Sequence, residues 1–110
     1  MQKLNIKPAK NILEFIAQVD AIRKEYWDAN YNYKPYEPLV ASKGKKFIKL
    51  VSEGSAWGFV AMFDGTFKGR TIKKGDLMKA ASWSAPAAIS RGNIFDGTTR
   101  FSYYGPEYVK

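Results

Sequence analysis

The chain has 110 residues, 45% of them apolar, 15% aromatic and 25% charged, a balance that fits one globular domain and excludes collagen-like, low-complexity and wholly disordered chains. Its 18 Lys+Arg against 10 Asp+Glu give a net charge of +8, and it contains neither cysteine nor histidine. That absence removes zinc fingers, iron–sulfur ligation, thiol nucleophiles and any Ser-His-Asp or Cys-His mechanism.

The apolar runs are short, as in Phe59 to Phe63, far below the roughly 20 residues of a membrane-spanning helix. Met1 to Lys10 is basic but lacks the apolar stretch of a secretory signal, so cytoplasmic residence is expected. Residues 1–10 read as flexible. At Asn11-Ile12-Leu13-Glu14 a side-chain acceptor precedes a glutamate three residues on, a variant of the capping box that starts a helix near Ile12. Ile12, Phe15, Ile16, Val19, Ile22, Tyr26 and Trp27 recur at three- and four-residue steps to about Ala29, while Gln18, Asp20, Arg23, Lys24 and Asp28 point away from that face. Residues 30–45, with Pro35 and Pro38 among Tyr31, Tyr33 and Tyr36, cannot continue the helix and are expected as an extended linker to a sheet.

Phe47 to Val51 reads as a strand, followed by turn chemistry at Ser52-Glu53-Gly54-Ser55. In Ala56 to Phe63, alternation puts Trp57, Phe59, Ala61 and Phe63 on one face, which is expected to lie beneath the helix as core. Asp64-Gly65 signals a two-residue hairpin. A third strand over Phe67 to Ile72, a turn at Lys73 to Asp76 and a fourth piece over Leu77 to Trp83 follow; Leu77 to Ala81 suits a strand or a helical turn equally. Ser84 as cap and Pro86 in a first turn predict a short helix over 84–90, stopped by Gly92. Thr99 to Tyr104 offers an edge strand before Gly105-Pro106. The sum is a single α+β domain, an N-terminal helix on a small antiparallel sheet of three to five strands.

Charge is unevenly spread. Residues 1–40 carry six basic and five acidic side chains, residues 41–110 twelve and five. Lys43, Lys45, Lys46, Lys49, Lys68, Arg70, Lys73, Lys74 and Lys79 all fall within 41–80. Such a field attracts polyanions, nucleic acid foremost, although solubility alone accounts for much surface charge in small domains. Lys-Gly-Lys-Lys at 43–46 lacks the spaced glycines of a phosphate loop, and the scattered carboxylates suggest no metal site. No enzymatic activity, catalytic residue, metal or cofactor is expected.

The strongest functional pattern is basic residues interleaved with rings: Lys45, Lys46, Lys49, Trp57, Phe59, Lys68, Arg70, Lys73, Lys74 and Trp83, with Lys79 and Arg91 added to the candidate contacts and Trp57 and Phe59 favoured as core. Proteins that hold single strands combine a cationic groove with ring faces on which bases stack. For Trp83 and Arg91 two roles stand open. Trp83 either plugs a gap between the sheet and the C-terminal strand while Arg91 pairs with Asp96, or both point outward as a stacking and phosphate-binding pair.

Lys79-Ala80-Ala81-Ser82-Trp83-Ser84-Ala85-Pro86, then Arg91-Gly92-Asn93-Ile94-Phe95-Asp96, and the ending Tyr104-Gly105-Pro106-Glu107-Tyr108 resemble a set of short uncharacterised proteins encoded by tailed bacteriophages. The likeness extends to the Phe-Ile-Lys-Leu-Val run at 47–51 and Trp-Gly-Phe-Val at 57–60, and Thr66 to Thr71 lengthen the usual hairpin. The resemblance implies a viral gene acting in the cytoplasm of a bacterial host, or in the virion, and implies no particular chemistry. The expected partner is nucleic acid, bound mainly through phosphates with little sequence preference and single-stranded in preference. The alternatives are a module that docks on a host protein or a minor virion component.

Overall fold

The computed structural model describes residues 7–31, 33–102, 105 and 106. Helix α1 (Ile12–Asn30) begins where the sequence places it: Asn11 Oδ1 accepts the Glu14 N–H at 2.9 Å, satisfying one of the free amides of the first turn. Among the described residues nine strands follow: β1 (Val40–Lys43), β2 (Phe47–Ser52), β3 (Ser55–Ala61), β4 (Gly65–Phe67), β5 (Arg70–Ile72), β6 (Asp76–Ala80), β7 (Pro86–Asn93), β8 (Phe101–Ser102) and β9 (Gly105–Pro106). Five form an antiparallel sheet in the order β1-β2-β3-β6-β7, and β4-β5 and β8-β9 are separate two-stranded ribbons. The molecule is α+β.

The helix covers one face of the sheet. Phe15 and Val19 meet Leu50, Trp57, Val60 and Leu77, with Leu39, Ile94 and Phe101 completing the cluster. The opposite face carries a second cluster of Phe59, Ala61 and Met78, over which the β4-β5 ribbon lays Ile72 and Phe67 beside Phe47 and Phe63. This divides the ring trio expected under the helix. The register runs Leu50↔Gly58 and then Val51↔Ala56, leaving Trp57 as an extra residue. That bulge turns Trp57 toward the helix and leaves Phe59 and Phe63 on the far face, because one added residue reverses every later side chain of a period-two strand.

Other expectations shift for equally local reasons. Residues 40–43 of the stretch read as linker form edge strand β1, paired Val40↔Val51 to Lys43↔Ile48. Asp64-Gly65 does not make the two-residue hairpin; the Asp64 carboxylate instead accepts the Lys74 N–H at 2.8 Å. The tight hairpins are Glu53-Gly54 (φ 47° and 82°) and Lys68-Gly69 (φ 51° and 79°), where two successive positive φ values match the twist of the flanking strands. Leu77 to Ala80 is strand, and the expected helix over 84–90 is instead β7, paired with β6 from Ala80↔Pro86 to Asp76↔Asn93. As a strand this segment satisfies the outer edge of β6, which a short helix would leave unpaired. Thr99 to Tyr104 adds no edge to the main sheet: Phe101–Ser102 pairs with Gly105–Pro106, and Tyr103 and Tyr104 lie outside the described residues, as do residues 1–6.

Arg23 corrects the helix reading. It lies in the stripe Phe15, Val19, Arg23, Trp27 and is only 2% exposed. Its guanidinium donates to Tyr36 Oη and to Ser52 Oγ, both at 2.7 Å. Tyr36 in turn donates to Asp20 Oδ1 at 2.7 Å, and the same oxygen accepts the Leu39 N–H at 3.0 Å. A buried cation is tolerated because its donors are met and a carboxylate lies one hydrogen bond away. The network ties α1 to the connection before β1 and to the end of β2.

Candidate nucleic-acid interface

The β4-β5 ribbon covers only part of its sheet face. The remainder is a groove of about 310 Å³ lined by Ser42, Lys43, Gly44, Lys45, Lys46, Phe47, Lys49, Phe59, Ser84 and Pro86. The register explains this set: Ser42↔Lys49 and Lys49↔Phe59 are cross-strand neighbours, so the three side chains stand side by side on the face away from the helix. The β1-β2 turn, closed by the Gly44 N–H to Phe47 O at 2.9 Å, supplies Lys45 and Lys46 at one end. The β6-β7 loop supplies the wall, held by the N–H groups of Ala81 and Ser82 on Ala85 O.

Four lysines and no carboxylate line the groove. Three cations of this face lie against rings: Lys49 Nζ is 3.8 Å from the centroid of Trp83, Lys46 Nζ 5.8 Å from Phe63, and Lys68 Nζ 5.3 Å from Phe67. The rings form a chain, since Phe47 packs edge-on against Phe59, Phe63 and Phe67 at 6.4, 5.7 and 5.0 Å. The result is an apolar floor with ammonium groups at its margins, the composition of surfaces that track a phosphate backbone while offering π faces.

The structure therefore gathers Lys45, Lys46, Lys49 and Trp83 of the sequence-derived set, with Lys68 and Arg70 on the adjoining ribbon, where Phe67↔Arg70 closes the hairpin. It does not gather the rest. Lys73 and Lys74 lie in the turn before β6, and Lys74 borders a different depression, about 410 Å³, beside Lys10, Ile12 and Phe95 at the helix start. Lys79 alternates to the helix side of β6 and reaches Pro106 O at 3.5 Å. Arg91 is 7% exposed and donates to Ile89 O at 2.7 Å, while Asp96, its expected partner, accepts from the N–H and hydroxyl of Thr98.

Trp83 is 53% exposed, so it does not plug the gap before the C-terminal strand. Phe101 fills that place, wholly buried against Trp57 and Phe15 at 5.6 and 6.1 Å. Two further groove residues, Lys43 and Phe59, needed the structure to place them. Lys43 belonged to the basic run and borders both the groove and the depression at the helix start, its cross-strand partner Ile48 packing on the helix-side cluster; Phe59 belonged to the interleaved rings, and its facing depended on the bulge.

No protein-family model, no curated protein and no solved structure matches this chain. Among the described residues no cluster of acidic side chains is arranged to hold a metal, and no helix is long and apolar enough to cross a membrane.

Proposed function

We propose that the protein binds nucleic acid through its phosphates, with little sequence preference, along the groove crossing β1, β2 and β3. One observation carries this reading: four of the ten groove-lining residues are lysines and none is acidic. Ammonium groups on flexible stems meet phosphates as point charges and carry no base code. On the resemblance of the 79–96 region to phage proteins, the nucleic acid is that of a phage or its host, met in the bacterial cytoplasm, and the reading requires no catalytic residue.

The test is an anisotropy titration of labelled oligonucleotides at several salt concentrations. If the four lysines each displace one counterion, log affinity falls against log salt with a slope of about −3 on a single strand. Replacing Lys45 and Lys46 by glutamine lowers the affinity and flattens the slope by about 1.4, leaving the melting temperature unchanged because both side chains are exposed. Affinity indifferent to salt overturns the reading. A second reading, docking on a host protein, is favoured by β1, whose four side chains are all exposed and whose outer edge pairs with no described strand. Such an edge is open to strand addition, and a partner recovered with no oligonucleotide affinity would support it.

A further inference from the structure

Building on the groove reading, we infer that Trp83 is a stacking platform for one unpaired base, which makes single-stranded nucleic acid the ligand. The ring is 53% exposed beside a cationic groove, and its position is held rather than loose. The loop carrying it is closed by two hydrogen bonds onto Ala85 O, and the Lys49 ammonium sits 3.8 Å from the ring centroid. No second ring packs on Trp83 among the described residues. One face therefore rests on Lys49, and no ring of the described residues occupies the other.

Lys49 performs two tasks in this arrangement. Its charge restrains the indole plane, so the ring loses less freedom when a base settles on it, and it keeps a positive charge on the groove lining along which the phosphate backbone passes. Ser84, on the same loop, and Pro86, the first residue of β7, line the groove directly, so a strand following Lys45 and Lys46 passes beside the ring. A base within a duplex already stacks on both neighbours and cannot offer its face; an unpaired base can. The geometry thus discriminates by strandedness without reading sequence.

The experiment compares oligothymidylate and oligouridylate of about ten nucleotides with a duplex, using the wild type, Trp83→Ala, Trp83→Phe and the Lys45→Gln/Lys46→Gln variant. Trp83→Ala is expected to lose roughly ten- to a hundredfold in single-strand affinity, to bind duplex as before and to melt like the parent. Trp83→Phe is expected to restore most of the loss while abolishing the tryptophan quenching that accompanies single-strand binding. Equal losses on thymidylate and uridylate extend the platform to both DNA and RNA; a loss on one alone assigns it to that ligand. If Trp83→Ala binds single strands unchanged while the lysine variant is weakened, the platform is refuted and the groove reading stands. If the wild type binds no oligonucleotide even at low salt, both fall together.

Discussion

Two glycines with left-handed backbone answer to different constraints. Gly54 (φ 82°) has open space where a Cβ would stand, whereas a Cβ on Gly92 (φ 100°) would lie 2.1 Å from Thr98 O and 2.6 Å from Thr99 Cα. Gly54→Ala therefore meets only the backbone penalty, about 1–2 kcal/mol. Gly92→Ala must displace main chain of the Thr98–Thr99 segment and is expected to cost more than about 3 kcal/mol, a contrast that denaturant melts measure directly. Tyr36 makes a different kind of prediction. Burial, then the hydrogen bond to Asp20, raise its phenol above the ordinary tyrosine value. A raised value means that the folded state keeps its proton after the unfolded chain has released its own, so this stabilisation is complete below about pH 10 and is lost as pH rises beyond it. Tyr36→Phe removes the hydroxyl between Arg23 and Asp20, with an expected cost of about 1–3 kcal/mol near neutrality. The stability difference between wild type and variant should shrink in unfolding curves taken above about pH 10.

Each layer of the fold has its own keystone. For the helix layer it is Phe15, fully buried with its ring edge-on to Phe101; Phe15→Ala is expected to cost roughly 3–5 kcal/mol in a chemical melt. The helix was legible because its information is local: Asn11 caps it, and the three- and four-residue steps of Phe15, Ile16, Val19 and Ile22 declare one face. Arg23 was hidden from the same reading by its charge, although its place four residues from both Val19 and Trp27 marked it. The strand at 47–51 was legible too, and so was the turn at 52–55. The bulge at Trp57 was not, since the run from Ala56 to Phe63 alternates without interruption and only its pairing with β2 reveals the extra residue. Pro86 signalled an element's start but not its type, which the unpaired edge of β6 decides.

For the molecule as a whole, the question is whether total charge or its placement governs binding. Lys45→Glu/Lys46→Glu and Lys73→Glu/Lys74→Glu change the net charge equally, but only the first pair lines the groove. Near 0.15 M salt, where screening confines fields to about 8 Å, the groove pair is expected to abolish oligonucleotide binding in anisotropy and the turn pair to leave it within about threefold of the parent. The basic character of the site was legible from composition, as Lys45, Lys46 and Lys49 show. Its membership was not: Lys79 and Arg91 turn inward because of pairings made far away in sequence.

Strand β3 is covered on both faces, by the helix on one side and the β4-β5 ribbon on the other, whereas β1 is an exposed edge. This sets a hierarchy of opening. Amide hydrogens of β1 should exchange first, those of β4 and β5 next, and those of β3 only when the whole domain opens. Phe59, the groove floor, belongs to the slowest strand, while Lys43 to Lys46 ride at the end of the fastest. The groove thus has a rigid floor and a compliant rim, which lets its ammonium groups follow an irregular backbone without disturbing the surface beneath.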